Sequence, residues 1–376
     1  MLNHVKLIAQ MQQVSDALFR DVSHEYSVAR GAWDQIVNDP LFIYKVQSMK
    51  HQVPWQLPLW QGKLDLQIPV DQNPMPYQGI SVDGSQIYPD RHQGTNCFLI
   101  NIGSVILQYG MASGSYFDSV PYVFAGDTEA DGLPISPDYV NCLRQAFEFQ
   151  GGLDLIQQKM LPEDKERTFF LFDGSLIFWH LSGKQPELKQ FFLTRYMDLL
   201  EQWYQTKVLF AGYISLPKSK ELVNLVRAFL CNFDPDRSDA HMAVEHVVDA
   251  HIAQFFLTPG YRSIVFKSTS DICREYPEHL QPYFFYLHVG NEVARIEIPS
   301  WIAQSDDLVD TLARAIVDQC VKGRGYPVLI AEAHEQAVVK GPDRDFFYHM
   351  IMKLGIDQKR NTIFSQKVIK KRGIGI

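Results

Sequence analysis

The sequence predicts an α/β fold preceded by a helical N-terminal region. Short apolar runs typical of β-strands alternate with segments in which apolar residues recur at helical spacing, the order expected when helices cover a sheet. The chain has 376 residues, of which 46% are hydrophobic. It is therefore long enough to bury a large core.

The N-terminal part of the chain is predicted to be helical. Apolar residues recur at helical spacing from about Val5 to Met49, where Pro40 is the single proline, and we expect a long pair of helices there. Five prolines between Gln52 and Pro76 exclude a continuous helix and indicate a linker or edge strands. We therefore expect a helical region over residues 1–50 and a proline-rich segment over residues 51–78.

The remainder of the chain alternates predicted strands and helices. It begins with three strand-like runs and a helix before the third of them: Gly79–Val82, Cys97–Tyr109, the helix Tyr139–Lys159, and Phe169–Phe172. Then follow a helix over Leu188–Trp203, the strand VLFAGYISL, a helix over Ser219–Leu230, a loop over Cys231–Ser238, the strands FFYLHV and VARIEIP, and helices over Asp306–Lys322 and Pro327–Val339. We predict one domain over residues 79–345, and a C-terminal helix with a basic tail over residues 346–376.

Composition and charge exclude several classes of protein. The N-terminus lacks the features of a signal peptide, and no stretch is long and apolar enough to span a membrane, so we expect a cytoplasmic protein that makes no membrane contact. The five cysteines are scattered and never spaced as CxxC, which indicates neither a disulfide framework nor a zinc knuckle. The net charge of −8 argues against broad nonspecific binding of nucleic acid. It does not exclude a nuclease, whose metal-binding carboxylates add negative charge.

The tripeptide Asp-Gly-Ser occurs twice, each time directly after an apolar run. GISVDGSQ contains Asp83, and FFLFDGSLIFW contains Asp173. A strand that ends in a carboxylate projects it from the edge of the sheet, and the following glycine allows a close approach to the backbone. Two such strands side by side would offer hard oxygen ligands to one or two divalent cations, as phosphoryl transfer requires. The alternative is that each tripeptide only makes a turn after a strand.

A third acid is expected for such a metal site. Glu148, in the predicted helix NCLRQAFEFQGG, is the first candidate. It follows Arg144 by four positions, so an ordinary surface ion pair is an equal alternative. Glu129 and Asp131 are reserve candidates.

Two residues near the C-terminal end could complete the chemistry. In GYPVLIAEAHEQAVV, Pro327 is suited to the first position of a helix, with Tyr326 before it and His334 two turns along. A histidine there could orient a phosphate, act as a general acid or bind metal. The alternative is a structural histidine.

A phosphate contact is predicted where the strand VLFAGYIS runs into SLPKSKEL. Lys218, Ser219 and Lys220 lie there at the start of a helix, where backbone N–H groups and lysines favour phosphate. Exposed lysines near a helix cap are the alternative. We assign nucleic-acid binding to Lys218 and Lys220 and to Ser85 of the first Asp-Gly-Ser.

Taken in order, these motifs resemble the NurA nuclease family, prokaryotic DNA-end-processing enzymes usually paired with the HerA hexameric ATPase. The matching segments are SVDGS, R-x-x-x-E in a helix, LFDGSL, GYISLPKS, VARIEIP and GYPxxxxxAH, and they cover roughly Gly79 to Arg344. The resemblance implies an RNase H-like core with a mixed sheet flanked by helices, an active site that depends on Mn²⁺ or Mg²⁺, and a homodimer. It also implies 5′-to-3′ exonuclease and single-strand endonuclease activity on DNA, with a HerA-like ATPase as partner.

The resemblance further implies roles for individual residues. Asp83 and Asp173 match the family's two strand-end metal carboxylates, and Tyr326 and His334 match its late tyrosine and histidine. Glu148 matches the helical glutamate, although the following segment QQKMLPEDKERT is longer than the family pattern. We hypothesise that the three acids hold the metal, which activates a water for attack on the phosphodiester, while the histidine steadies the phosphate or leaving group and the tyrosine contacts substrate.

Two other functions stay open on the sequence. Actin-like and sugar-kinase phosphotransfer enzymes also carry an Asp-Gly-containing phosphate loop, but usually as Asp-x-Gly-Ser/Thr, whereas Gly84 follows Asp83 directly. The other is an inactive adaptor of a motor ATPase, against which the intact acids at both tripeptides argue. The acidic charge of the chain favours a partner that delivers single-stranded DNA.

Overall fold

One sheet of eleven strands organises the described part of the chain. The computed structural model describes residues 2–15, 21–49, 53, 55–73, 75–90, 97–111, 114–126, 132–234 and 242–357. The strands are β1 (Leu59–Trp60), β2 (Ile68–Pro69), β3 (Tyr77–Ile87), β4 (Cys97–Tyr109), β5 (Tyr116–Ala125), β6 (Thr168–Asp173), β7 (Leu209–Ile214), β8 (Tyr261–Arg262), β9 (Phe266–Lys267), β10 (Pro282–His288) and β11 (Val293–Pro299).

The sheet is mixed, with the order β1-β9-β10-β11-β7-β6-β3-β4-β5 and with β2 and β8 beside this path. Strands β3, β4 and β5 form an antiparallel meander, whereas β6 runs parallel to β3 and β7 runs parallel to β6. β11 is antiparallel to β7, and β10 is antiparallel to β11. The C-terminal ends of the parallel strands β3, β6 and β7 therefore meet at one edge, where residues that follow them can converge.

Helices cover both faces of the sheet. They are α1 (His4–Gln13), α2 (Ser23–Asn38), α3 (Phe42–Met49), α4 (Pro137–Lys159), α5 (Pro186–Thr206), α6 (Glu221–Leu230), α7 (Asp249–Ala253), α8 (Ser300–Ala303), α9 (Asp306–Lys322), α10 (Val328–Ala337) and α11 (Gly341–Asp357).

Strand β6 shows how the sheet separates two cores. Phe170 and Phe172 pack in the core that α4 and α5 cover, whereas Phe169 and Leu171 pack in the core that α9 and α10 cover. Alternate residues of a strand point to opposite faces. Because both faces are covered, the interior of the strand is apolar, which explains the continuous run FFLF over Phe169–Phe172.

The N-terminal helices pack against a third core, which they share with α6 and α7. Trp33 of α2 is buried there and stacks on Phe256 with ring centroids 5.8 Å apart. The helix α1 differs, because it buries no residue. Two-residue strands in the proline-rich segment pair at the margin of the sheet, β1 with β9 and β2 with β8, so this segment supplies edge strands.

The sequence predicts the ends of a helix or strand correctly where a helix cap or an apolar run marks them. The bounds predicted for β4, β11 and α9 are confirmed. Ser305 caps α9 by accepting from the backbone N–H of Leu308, and two aspartates occupy its first turn. Strand β5 was not predicted, because it is an exposed edge strand with Pro121 in its middle.

Several remaining predictions have simple outcomes. The mixed α/β architecture is confirmed. All five cysteines are free and buried, and no helix in the described ranges is long and apolar enough to cross a membrane. The reserve candidates Glu129 and Asp131, the end of the loop after α6 and the basic tail lie outside the described residues.

Candidate active site

The two Asp-Gly-Ser aspartates come together through the register of two parallel strands. Ile80 of β3 pairs with Phe170 of β6, and the same offset places Asp83 level with Asp173. Asp173 is the last residue of β6, as predicted. Asp83, however, does not end its strand, because β3 continues to Ile87 along β4. The prediction of two strand-end carboxylates is therefore wrong for Asp83, which lies where the pairing between β3 and β6 has stopped.

Glu148 enters the same region from α4. Its side chain is only 3% exposed, and the guanidinium of Arg144 donates to it. The same Arg144 Nη1 donates to the carbonyl of Gly84 at 3.0 Å and lies 3.8 Å from Oδ1 of Asp83. The pair is thus not the surface ion pair of the alternative interpretation, since its acid is buried beside a second carboxylate.

Gly84 allows this close approach of helix and strand. A Cβ at this position would lie 2.7 Å from Cγ of Arg144 and 2.8 Å from Oε1 of Glu148. Any larger residue would push α4 away from β3. The glycine of the first Asp-Gly-Ser therefore leaves the space in which α4 packs against β3.

Burial and neighbouring charges raise the pKa of two of these carboxyl groups. Burial is the largest cause for Glu148, and with the charges of Asp83 and Asp173 it raises the pKa of Glu148 to about 8 against the opposing effect of Arg144. Asp173 is exposed at the strand end, yet desolvation by the surrounding protein and the charge of Asp83 raise its pKa also. Three acids facing a single guanidinium lack positive charge, which a cation would supply.

His334 reaches Asp83 from α10 on the opposite side. Its Nδ1 lies 2.8 Å from Oδ2 of Asp83, and its side chain is 59% exposed. The helix can lie this close because of Gly103 on β4, where a Cβ would lie 2.3 Å from the backbone nitrogen of Ala337. With Nδ1 engaged, Nε2 of the imidazole is the atom that faces outward.

Tyr326 lies beside the other aspartate. Its hydroxyl opposes the rise in the pKa of Asp173, while desolvation by the surrounding protein raises the pKa of the tyrosine itself. Its ring packs edge to face on Tyr213 of β7, with centroids 5.6 Å apart. The structure thus brings together all five predicted catalytic residues, from four separate segments of the sequence: Asp83, Glu148, Asp173, Tyr326 and His334.

A pocket of about 470 Å³ opens beside these acids, and we call it the carboxylate cleft. Arg144, Glu148, Asp173 and the serine of the second Asp-Gly-Ser, Ser175, line it, together with residues that the sequence did not single out: Trp179, His180 and Lys184. Burial lowers the pKa of His180 to about 4, assisted by the charges of Lys184 and Arg144. No spacing motif marks these residues; the only signal is that they follow closely on the second Asp-Gly-Ser.

The second Asp-Gly-Ser continues into a tightly held loop. Gly174 adopts a φ of +143°, a conformation that side chains disfavour. Ser175 then donates to Oε2 of Glu297 at 2.7 Å, and the backbone N–H of Leu176 donates to the same oxygen at 2.8 Å. A buried carboxylate on β11 therefore fixes the chain that leaves Asp173.

The residues predicted to bind nucleic acid lie in different surroundings. The Ser85 hydroxyl donates to the carbonyl of Ala337 at 2.5 Å, and Lys220 donates to the carbonyl of Glu245 at 2.5 Å. Lys218 is exposed at a second pocket next to the carboxylate cleft.

The expected phosphate site at the start of α6 needs a correction. Backbone N–H groups of Glu221 and Val223 donate to the buried carboxylate of Asp249 at 2.8 and 2.9 Å. These backbone N–H groups are therefore already paired with a carboxylate of the protein, and a phosphate at this place could be bound only by side chains.

Metal ligands of the required type are present at the carboxylate cleft, but Arg144 lies between them. Within the ranges that the structure describes, no group of three or more His, Cys, Asp or Glu side chains is placed to hold a metal. The donors are carboxylate oxygens, which suit Mg²⁺ and Mn²⁺. The carboxylate oxygens fit such a cation in chemical type, and the guanidinium of Arg144 now supplies positive charge between them.

Comparison with known proteins identifies related sequences and folds. A sequence model of the NurA domain matches residues 79–339. The crystal structure of the NurA nuclease from Sulfolobus solfataricus is 12% identical, covers 95% of this chain and 98% of its own, and superposes with a TM-score of 0.54. A crystal structure of NurA with manganese is 10% identical over 86% of this chain and 96% of its own, with a TM-score of 0.40. A search of curated proteins finds no match.

Proposed function

The chain belongs to the NurA family, and we propose that it is a divalent-metal-dependent deoxyribonuclease that processes DNA ends. One observation carries this proposal: Asp83, Asp173 and the buried Glu148 converge beside one guanidinium, with an imidazole on Asp83 and a phenol on Asp173. The likeness in fold to a NurA nuclease supports the same reaction.

The three acids are proposed to hold Mn²⁺ or Mg²⁺. Burial, together with repulsion from the neighbouring carboxylates, raises the pKa of Glu148 and of Asp173, so a bound cation would relieve an unfavourable charge arrangement. Such a cation would supply activation of the attacking water and neutralisation of charge on the phosphate. Arg144 provides part of this countercharge and would have to move aside for all three acids to reach one cation.

His334 and Tyr326 are proposed to act on the substrate from opposite sides of the acids. Asp83 orients the imidazole through Nδ1, so Nε2 can donate a proton or hydrogen bond to the leaving oxygen. Tyr326, beside Asp173, is proposed to contact the substrate. His334 is exposed and Tyr326 is partly exposed, so a substrate could reach both.

We further propose that the core is RNase H-like. The contiguous strands β5-β4-β3-β6-β7 consist of an antiparallel meander followed by two parallel strands, the order and directions of that fold. Asp83 on the first strand of the meander and Asp173 at the end of the next parallel strand would then be its metal acids. The division into domains at residues 50, 78 and 345 and the cytoplasmic location stay predictions.

The finer activity and the partners are also proposals. We propose 5′-to-3′ exonuclease and single-strand endonuclease activity, a homodimer, and delivery of DNA by a HerA-like hexameric ATPase. The net charge of −8 supports a partner that contributes to the grip on DNA. The apolar residues of α1, which buries none of them, offer a surface for a second chain.

The nuclease assay tests the proposal directly. Single- and double-stranded DNA labelled at the 5′ or at the 3′ end is incubated with Mn²⁺, with Mg²⁺ or with EDTA. We expect metal-dependent cutting that Asp83→Asn and Asp173→Asn abolish and that the exposed control Asp198→Asn retains. The order in which the two labels are released tests the 5′-to-3′ direction. No cutting by the folded wild type with either metal, alone or with its partner ATPase, would favour the inactive adaptor.

A further inference from the structure

A second pocket of about 540 Å³ adjoins the carboxylate cleft, and we call it the basic pocket. It lies beneath the chain between β7 and α6, and its wall includes Trp55, Lys218, Arg227 and Arg295. Ser175 and Trp179 line both pockets. A molecule that fills one pocket can therefore extend into the other.

Unpaired hydrogen-bond donors are concentrated in the wall of the basic pocket. Nε1 of Trp55, Nε of Arg227 and Nη2 of Arg295 are buried and have no hydrogen-bond partner among the described residues. Arg295 is only 1% exposed. A buried donor without an acceptor is costly. All three atoms are N–H donors, so the missing partner is an acceptor.

The charges of the wall favour an anion. Lys218, Lys220, Arg227 and Arg295 face two acids, Glu221 and Glu297, in a chain whose net charge is −8. Both acids already accept hydrogen bonds from Arg295, and they accept from Ser268 and Ser175 as well. The positive charge in excess belongs to Lys218, Lys220 and Arg227.

We propose that the basic pocket binds a backbone phosphate of single-stranded nucleic acid whose neighbouring phosphodiester lies in the carboxylate cleft. This inference rests on the proposed nuclease function and names a substrate subsite for it. Arg227 and Lys218 contact the phosphate, while Arg295 is paired with its two acids and supports the wall of the pocket. Trp55 and Trp179 offer ring surfaces for unstacked bases, which a paired duplex does not present.

The pocket is joined to the acids through a continuous set of contacts. Arg295 Nε donates to Glu297 at 2.7 Å, and the other oxygen of Glu297 holds Ser175, two residues after Asp173. The position of the phosphate site is therefore fixed relative to the metal acids. A strand bound in the basic pocket would be held in register for cutting.

The test measures binding without cutting. Fluorescence anisotropy of a labelled oligo(dT) without a 5′-phosphate is recorded in EDTA at a series of salt concentrations. Arg227→Gln and the exposed Lys218→Ala are compared with wild type and with Arg274→Gln, an exposed arginine outside the pocket. We expect each pocket variant to bind roughly tenfold more weakly, and the slope of log K against log salt to fall by about 0.7 for each lost phosphate contact. Arg274→Gln should bind like wild type, and Arg227→Lys should restore the slope.

Competition distinguishes the strand from other phosphates. Binding of dTMP or inorganic phosphate that is lost in Lys218→Ala, with oligo(dT) binding unchanged in both pocket variants, would overturn the assignment to a strand. So would wild-type affinity and slope for oligo(dT) in folded Lys218→Ala and Arg227→Gln. Since no cleavage is needed, a protein that fails to cut DNA but shows the expected slopes would contradict the nuclease proposal and leave the phosphate site intact.

Discussion

The carboxylate cleft and the basic pocket are neighbours, but the cleft lacks positive charge and the pocket lacks hydrogen-bond acceptors. At the cleft, Glu148 and Asp173 in its wall and Asp83 beside it face one arginine, and the pKa of Glu148 rises to about 8. In the pocket, buried N–H groups of Trp55, Arg227 and Arg295 lack acceptors. The first region lacks a cation and the second lacks an anion, as expected of a protein that joins a metal ion and a nucleic-acid backbone along one surface.

The two regions also differ in how their charges are held. Arg295 is buried, with Glu221 and Glu297 both paired to it and the ring of Phe284 3.6 Å from its guanidinium carbon. Arg144 is 28% exposed and faces Glu148 and Asp83 at the open cleft. The first cluster is a fixed support, whereas the second can rearrange when a ligand arrives.

The largest effect is expected for the buried acid of the cleft. Glu148→Gln preserves shape and removes a proposed metal ligand, so the turnover number should fall about 1,000-fold, which corresponds to about 4 kcal/mol of transition-state stabilisation. Asp154→Asn, on the same helix outside the cleft, should retain activity. Single-turnover cutting with saturating Mn²⁺ measures both. Wild-type rates in Glu148→Gln would show that the pair with Arg144 is only structural.

Substitutions in the Arg295 cluster should lower the free energy of unfolding. Glu221→Gln leaves Arg295 with one acid in a buried site, and we expect the free energy of unfolding to fall by roughly 3 kcal/mol. The exposed Glu187→Gln on α5 should change it by less than about 0.5 kcal/mol. Urea unfolding in EDTA provides the measurement. Equal stability of the two variants would mean that the Arg295 cluster does not support the fold.

His334 should matter for the reaction and little for the metal. His334→Gln should lower the turnover number about 100-fold, the usual contribution of a general acid or base, with Mn²⁺ affinity close to that of wild type. Steady-state kinetics and a Mn²⁺ titration on the same preparation separate the two. A loss of Mn²⁺ affinity equal to that of Asp83→Asn would instead make the imidazole a ligand.

The smallest effect is a pH dependence of stability. The folded chain raises the pKa of Glu148 from 4.5 to about 8, so it binds this proton more tightly than the unfolded chain does. The stability that this proton contributes is complete below pH 4.5 and is lost as the pH rises through about 8. In EDTA, Glu148→Gln should therefore gain at least about 1 kcal/mol relative to wild type between pH 5 and pH 8.5. A constant difference across this range would contradict the raised pKa.

The sequence predicts elements well where local signals and packing agree. Strand β4 is largely apolar because helices cover both its faces, and α9 begins at a serine cap, so both were located to the residue. Strand β5 is an edge strand with exposed residues and an internal proline, and its pattern carries no strand signal. Proximity is harder to predict, since Asp83 and His334 are 251 positions apart in the chain.

The residues of the candidate site were predicted from the Asp-Gly-Ser motifs and the family resemblance more than from the periodicity of apolar residues. Both aspartates carry a visible signal, Asp-Gly-Ser after an apolar run, but the burial of Glu148 depends on Gly84 admitting the helix. The basic pocket was indicated only by Lys218 and Lys220. The signal that could have revealed Arg295 is the pair of charges two residues apart in VARIEIP, an apolar strand in which both must be buried and paired.

The central claim is that the carboxylate cleft holds a divalent cation, and Mn²⁺ binding without DNA tests it most directly. Free Mn²⁺ is followed by electron paramagnetic resonance during titration of wild type, Asp173→Asn and Lys218→Ala. We predict at least one bound Mn²⁺ per wild-type chain, an affinity at least about tenfold weaker in Asp173→Asn, and wild-type affinity in Lys218→Ala. Equal Mn²⁺ binding in wild type and Asp173→Asn, or no binding in wild type, would contradict the account.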